Sequence, residues 1–105
     1  MTIEEDLTAT LSQLHDAVFL SIDLPWAEGT ARLRFRLAHK AVCLAISGVS
    51  RVELSRQFPW GRSECVNEVR VAAEPPDAGV KMDLEMQSGD RILISGSAIL
   101  AERSD

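Results

Sequence analysis

The side chains best suited to chemistry in this sequence are two histidines and two cysteines. His15 precedes Asp16, which suggests an orienting pair, but adjacent residues on a helix point in different directions. His15 is therefore predicted to end a helix, where its ring meets the last carbonyl groups. His39 stands beside Lys40 in a predicted turn between strands, and we expect solvent around it.

Neither cysteine is expected to act as a nucleophile. Cys43 lies in an apolar stretch, which predicts burial, and Cys65 follows Glu64, whose charge would raise the pKa of the thiol. The acids Asp83 and Glu85 share one face of a predicted strand, where solvent is expected around both. No spacing matches a metal site or a redox pair. We therefore predict no catalytic residue, no metal, no cofactor and two reduced cysteines.

Composition narrows the class of protein further. The chain has 105 residues, a net charge of -5 and 46% hydrophobic residues, which fits one globular domain. An acidic protein repels phosphate groups, so neither nucleic acid nor a membrane is expected as a partner. The acidic start, residues 4–6, is unlike a signal peptide, and no apolar run is long enough to cross a bilayer. We predict a cytoplasmic protein.

The spacing of apolar residues predicts one helix followed by strands. Leucines at three- and four-residue steps indicate a helix over residues 1–16. Alternating or continuous apolar segments then predict a sheet over residues 17–101, and residues 102–105 are expected to be a polar tail. The strand segments, about six in number, are 18–24, 30–37, 41–54 with an expected bend at Gly48, 65–73, 80–86 and 91–100. A Pro- and Gly-rich turn is predicted at 75–79.

Short turns between these segments leave no room for the crossovers that parallel strands need. The predicted fold class is therefore α+β, in a single domain of residues 1–105. The N-terminal helix is expected to cover one face or end of a curled antiparallel sheet of about six strands, a half-barrel or open roll.

The most regular charged feature is a row of three arginines. Arg32, Arg34 and Arg36 alternate with apolar residues, so all three lie on one face of a strand. Such a row could follow a phosphate backbone, but no aromatic residue on that face would stack on bases. Pairing with acids on neighbouring strands is favoured instead, and the expected acids are Glu53, Asp83 and Glu85.

Two tryptophans stand in turns that contain proline and glycine. Trp26 lies in the turn 25–29, and Trp60 lies in the loop 57–62, where Arg62 follows it. Each tryptophan has two interpretations: it folds back to cover an end of the sheet, or it is an anchor for a binding partner. Trp and Arg are enriched among the residues that dominate protein interfaces. With Asn67 nearby, these residues form the candidate binding set.

Three segments resemble a pattern found in small uncharacterised bacterial proteins. They are residues 14–17 (LHDA), residues 59–63 and 66–69 (PWGRS and VNEV), and residues 85–90 (EMQSGD). The LHDA step also resembles that of some immunity proteins, which neutralise toxins of bacterial competition systems. The resemblance implies a bacterial source and a toxin as partner, and it supplies no catalytic residue.

These observations favour a non-enzymatic protein-interaction module of the immunity kind. Its partner would be another protein of basic or mixed charge, anchored by Trp60, Arg62 and Trp26. A homodimer formed through an edge strand is a further hypothesis. The alternative is a small-ligand-binding domain or modest enzyme that uses the concave face of the sheet, with His15, Asp16, Glu64 and Asn67 as candidates.

Overall fold

A computed structural model describes residues 3–74 and 79–104 and has the predicted α+β composition, with one helix ahead of antiparallel strands. The helix α1 spans Ile3–Gln13, a shorter range than the predicted 1–16, of which residues 1 and 2 lie outside the described part. The strands are β1 Val18–Asp23, β2 Ala31–Leu37, β3 Lys40–Ser47, β4 Arg51–Leu54, β5 Val66–Glu74, β6 Gly79–Met86, β7 Arg91–Gly96 and β8 Ala98–Ser104.

The strands form two four-stranded antiparallel sheets, so the prediction of one curled sheet of about six strands is wrong. The first sheet has the order β1-β2-β3-β8, and the second has the order β4-β7-β6-β5. The six predicted segments are present, but two of them bend. Each bent segment supplies one strand to the first sheet and another strand to the second. Residues 41–54 give β3 and β4, and residues 91–100 fall in β7 and β8.

The two bent segments remain paired through the corner between the sheets. The N–H of Ser97 donates to the carbonyl of Ser47 (2.8 Å), and the N–H of Ser50 donates to that of Ser95 (2.9 Å). Gly48 makes the turn possible, because its φ of 60° is a conformation that other residues rarely adopt. The corner therefore keeps its main-chain hydrogen bonds while the strands change sheet.

A second seam joins the sheets at β1 and β5. Val18 forms an isolated antiparallel bridge with Cys65, and the N–H of Phe19 donates to the carbonyl of Glu64 (2.9 Å). The N–H of Val66 donates to the carbonyl of Ala17 (2.9 Å). The sheets are thus connected on two sides.

Strand β1 departs from simple alternation because of a β-bulge. The pairing with β2 shifts register between Phe19 and Ser21, which leaves Leu20 as the extra residue. Phe19 consequently faces the core, with its ring centroid 5.3 Å from that of Phe35, whereas Leu20 is half exposed. Strict alternation along the segment 18–24 would place Leu20 on the inner face with Ile22, and Phe19 on the outer face.

The core fills the space between the two sheets. Alternate residues of β2 and β6 point inward and are fully buried, as their patterns predict. Leu7 of α1 and Leu14, the residue after the helix, close the core on one side. Its largest fully buried apolar side chains are Phe35, Leu14, Leu33, Leu44, Ile46, Met82, Leu84, Ile94 and Val66.

The C-terminal residues are not a polar tail as far as the structure describes them. Strand β8 continues to Ser104, and Glu102 pairs with Cys43 of β3. The predicted turn at 75–79 lies outside the described residues except for Gly79. Within the described residues, no helix is long and apolar enough to cross a membrane.

The corner provides a test of the two-sheet arrangement through Gly96→Ala. A Cβ on Gly96 would lie 2.7 Å from Cγ2 of Ile46 and 2.7 Å from the carbonyl oxygen of Ser47. We expect this crowding to lower the free energy of unfolding by about 1–3 kcal/mol. Urea unfolding followed by far-ultraviolet circular dichroism measures it. The neighbouring exposed residue supplies the control, Ser97→Ala, which should change stability by less than about 0.5 kcal/mol. Equal stability of both variants would contradict the tight corner.

Candidate functional site

The three segments that carry the sequence resemblance meet at one end of the molecule. We call residues 55–64 the PWG loop and residues 87–90 the QSGD turn. The N–H of Trp60 in the loop donates to the carbonyl of Ser88 in the turn (2.9 Å), and the hydroxyl groups of Ser88 and Ser63 are hydrogen-bonded to each other (2.9 Å). The loop and the turn therefore form one unit.

Asp90 holds this unit together from beneath. Its side chain is buried, with a relative exposure of 1% for the residue, yet it accepts several hydrogen bonds. The N–H groups of Gln57 and Phe58 donate to it at 2.7 Å and 3.1 Å, and the hydroxyl of Ser88 donates at 2.8 Å. The Ser55 hydroxyl donates at 3.3 Å. Two main-chain N–H groups of a loop without regular secondary structure are thus satisfied by one carboxylate.

These hydrogen bonds also set the ionisation of Asp90. Burial alone would raise the pKa of the carboxyl group, because it disfavours the charged form. The N–H of Gln57, the Ser88 hydroxyl and the N–H of Phe58 outweigh that effect and lower the pKa to about 2. Asp90 is consequently a carboxylate at neutral pH. Asp90 is not among the predicted site residues, although it ends the EMQSGD segment.

Trp60 lies on the outside of this unit. One part of its indole ring covers Gly89, where a Cβ would come within 2.5 Å of the ring, and Gly89 has a φ of 94°. The rest of the residue is open to solvent, with 77% relative exposure, and Trp26 is 90% exposed. The interpretation that either tryptophan plugs an end of the sheet is therefore wrong.

Other side chains of the PWG loop complete an aromatic and charged surface. Phe58 is 41% exposed, and the guanidinium carbon of Arg56 lies 4.9 Å from the centroid of its ring, a cation–π contact. Arg62 pairs with Glu64 at 3.4 Å. These residues, with Gly61 and Ser63, line a shallow groove of about 430 Å³.

The polar residues of the ligand-pocket hypothesis are largely engaged in joining α1 to β5 and the QSGD turn. His15 Nδ1 lies 2.6 Å from the carbonyl oxygen of Asn67, and Gln87 donates to the Asp16 carboxylate. Asp16 has a φ of 72°, so it leaves the helical direction and brings its carboxylate within 3.7 Å of His15 Nε2. This proximity corrects the sequence argument that adjacent residues do not pair. Glu64 lies apart on the PWG loop.

The predicted binding set does not form one surface. Trp60 and Arg62 belong to the PWG loop, and Asn67 lies at the same end at the start of β5, where its side-chain amide donates to Glu85 (3.2 Å). Trp26 lies at the opposite end of β7, beside a groove near the residues that pair with Ser95. The length of β7 between the two ends is roughly 15–20 Å.

The arginine row occupies the outer face of the first sheet. It stands opposite small residues of β3, and Arg32 pairs with Glu28 (3.3 Å) and Glu102 (3.4 Å), which raise its pKa. For Arg34 and Arg36, no ion pair is found among the described side chains. The acids expected as partners lie in the second sheet and contact other residues, namely Glu53 with Arg51, Asp83 with Arg91, and Glu85 with Asn67.

The cysteines offer no activated thiol. Cys43 is buried, and its pKa is raised by burial and by a hydrogen bond to Glu102. Cys65 is partly buried, and both thiols are free. Among the described residues, no cluster of three His, Cys, Asp or Glu side chains is placed to hold a metal ion.

Comparison with known proteins gives a fold relationship alone. No family model matches the sequence, and no curated protein matches it. The crystal structure of an uncharacterized protein from Neisseria gonorrhoeae is similar, with a TM-score of 0.63 and 15% sequence identity. The similarity covers 86% of this chain and 93% of that one. The two chains therefore share a fold.

The role of Asp90 predicts a pH-dependent stability. Because its pKa falls from 3.8 to about 2 on folding, its contribution is complete above about pH 4 and is lost as the pH falls towards 2. In Asp90→Asn, the amide is a weaker acceptor and its NH₂ group opposes N–H donors. We expect its thermal midpoint at neutral pH to fall by at least roughly 5 °C, measured by circular dichroism.

The same variant should also lose much of the destabilisation that the wild type undergoes between pH 4 and 2. The control is Asp23→Asn, at an exposed position on β1, which should leave the midpoint and its pH dependence nearly unchanged. If Asp90→Asn has the same thermal midpoint as the wild type at both pH values, the carboxylate does not hold the loop.

Proposed function

We propose that this protein is a protein-binding module whose contact surface is the PWG loop. The observation that carries the proposal is a largely exposed Trp60 on a loop that a buried carboxylate holds in place. This residue is available for a partner without unfolding of the core.

The chemistry of the loop supports a protein as the partner. Tryptophan and arginine are the residues that most often dominate binding energy at protein interfaces, and Trp60 stands two residues before Arg62. Three donors of the loop, the Ser55 hydroxyl and the N–H groups of Gln57 and Phe58, hold it on Asp90, so less conformational entropy remains to be lost on binding. A rigid loop with an exposed aromatic ring is suited to fill a pocket on another protein.

Charge suggests which proteins would approach. The net charge of -5 favours diffusion towards a basic or mixed-charge partner. At the loop itself, the ion pair between Arg62 and Glu64 offers both signs, so a partner with paired charges around an apolar pocket would fit best. These contacts would form the polar rim around the Trp60 anchor.

The packing of the interior is the reason to favour a protein over a small ligand. The facing sides of the two sheets are filled by buried residues such as Phe35, Leu44 and Ile94. A ligand-binding domain or enzyme built on a concave sheet face needs that space open. His15, Asp16 and Asn67 make hydrogen bonds within the fold at the surface.

A toxin is the partner that the sequence resemblance implies, and we keep it as the specific form of the proposal. An immunity protein must bind its toxin tightly through a preformed surface, and it needs no catalytic group. The PWG loop, held on Asp90, supplies such a preformed surface. Trp60 would then lie at the centre of the contact with the toxin.

The test is site-directed photo-crosslinking in cells of the source organism. A photoreactive phenylalanine analogue at Phe58 should crosslink a single partner, and the same analogue at the exposed Leu100 on β8 should not. For the purified partner, Trp60→Ala should raise the dissociation constant by at least about 30-fold, which is about 2 kcal/mol.

The matched control is Trp26→Ala, because Trp26 is as exposed as Trp60 but lies at the other end of β7. Trp26→Ala should change the dissociation constant for the partner by less than about threefold, with binding measured for one partner molecule per chain. Unchanged circular dichroism spectra would show that both variants fold. Equal weakening by both, or by neither, would refute the loop as the binding surface. If the partner stops cell growth and wild-type protein but not Trp60→Ala restores it, the partner is a toxin.

A further inference from the structure

Strand β4 is the edge of the second sheet and pairs with β7 alone in that sheet. The N–H of Ser55 donates to the carbonyl of Arg91 (3.0 Å), and this register continues through Glu53 opposite Leu93. Antiparallel pairing alternates, so the main-chain groups of Arg51 and Glu53 face β7. Those of the residue between them, Val52, point away from β7 towards the open edge.

The side chains of β4 carry opposite charges on either side of Val52. Arg51 and Glu53 are exposed on the outer face of the sheet and contact one another, with Nε and Oε2 3.1 Å apart. Edge strands are commonly protected by like charges, which repel a second copy. An Arg and a Glu placed symmetrically about a central residue instead favour a second copy. A two-fold axis through that residue sets each Arg opposite a Glu.

The inner side of the same edge is apolar and open. Leu54 is 52% exposed, and a groove of about 300 Å³ runs along the start of β4. Its walls include Leu24, Trp26, Val49 and Val52. The hydrogen-bonding edge and this groove share Arg51 and Val52.

We infer that two copies of the chain associate through β4, antiparallel, about a two-fold axis at Val52. Each Val52 exchanges both main-chain hydrogen bonds with the second copy's Val52, and each Arg51 lies opposite the second copy's Glu53. The two second sheets then form one continuous eight-stranded sheet. Leu54 of each copy lies opposite the second copy's Ser50, beside the apolar groove. This dimer does not depend on the proposed function, because β4 lies outside the PWG loop.

The oligomeric state of the full chain tests the inference. Sedimentation velocity from roughly 1 µM to 1 mM protein should show a mass that rises from one chain to two, since a short edge interface gives micromolar affinity. Val52→Pro should remain one chain throughout. Proline removes an N–H that points away from β7, so the circular dichroism spectrum should stay that of the wild type.

A charge series gives a second test that does not use proline. Glu53→Arg places arginine opposite arginine in the dimer and should raise the dimer dissociation constant at least tenfold. Adding Arg51→Glu to it exchanges the two charges and should restore wild-type dimerisation. A wild-type mass of one chain at all concentrations would overturn the inference. So would a dimeric, folded Val52→Pro, or a double variant that associates no better than Glu53→Arg.

Discussion

The buried carboxylate of Asp90 is the interaction on which the candidate site depends. A charge removed from water is costly unless donors surround it, and here the donors come from a loop that has no secondary structure of its own. The requirement acts in both directions: the loop supplies the donors that keep Asp90 ionised, and Asp90 fixes the loop. The main-chain hydrogen bond from Trp60 to Ser88 fixes Trp60 in the same unit.

The second constraint is the bending of two strand segments at one corner. Because β3–β4 and β7–β8 turn together, their pairing is kept while the chain passes from one sheet to the other. The core is then enclosed between the two inner sheet faces, and its buried side chains fill the space between them. The same bend makes β4 a short edge strand and places the PWG loop and the Trp26 groove at opposite ends of β7. Both surface features therefore follow from the corner.

Much of this fold could be predicted from periodicity, because strands with one buried face alternate strictly. The patterns of β2 and β6 predict their buried residues, and the position of each strand segment is confirmed. The corner could not be predicted, since Gly48 and Gly96 interrupt a pattern without saying which way the chain turns. The bulge at Leu20 could not be predicted from a period of two either, because a single extra residue exchanges the sheet faces to which the following side chains point.

Less of the candidate site than of the fold could be predicted from the sequence. The exposed residues and the buried Asp90 differ in this respect. Trp60 and Arg62 were identified from residue type, which signals binding wherever a large aromatic residue stands in a turn. Asp90, which holds their loop in place, was not identified, because an aspartate in a turn is usually solvated. Only the unpaired N–H groups of a distant loop make Asp90 a buried acceptor. A tryptophan in a turn is either covered by the fold or left for a partner. In this chain the glycine beneath Trp60 covers one part of the ring, so its exposed remainder requires a second molecule if it is to be buried.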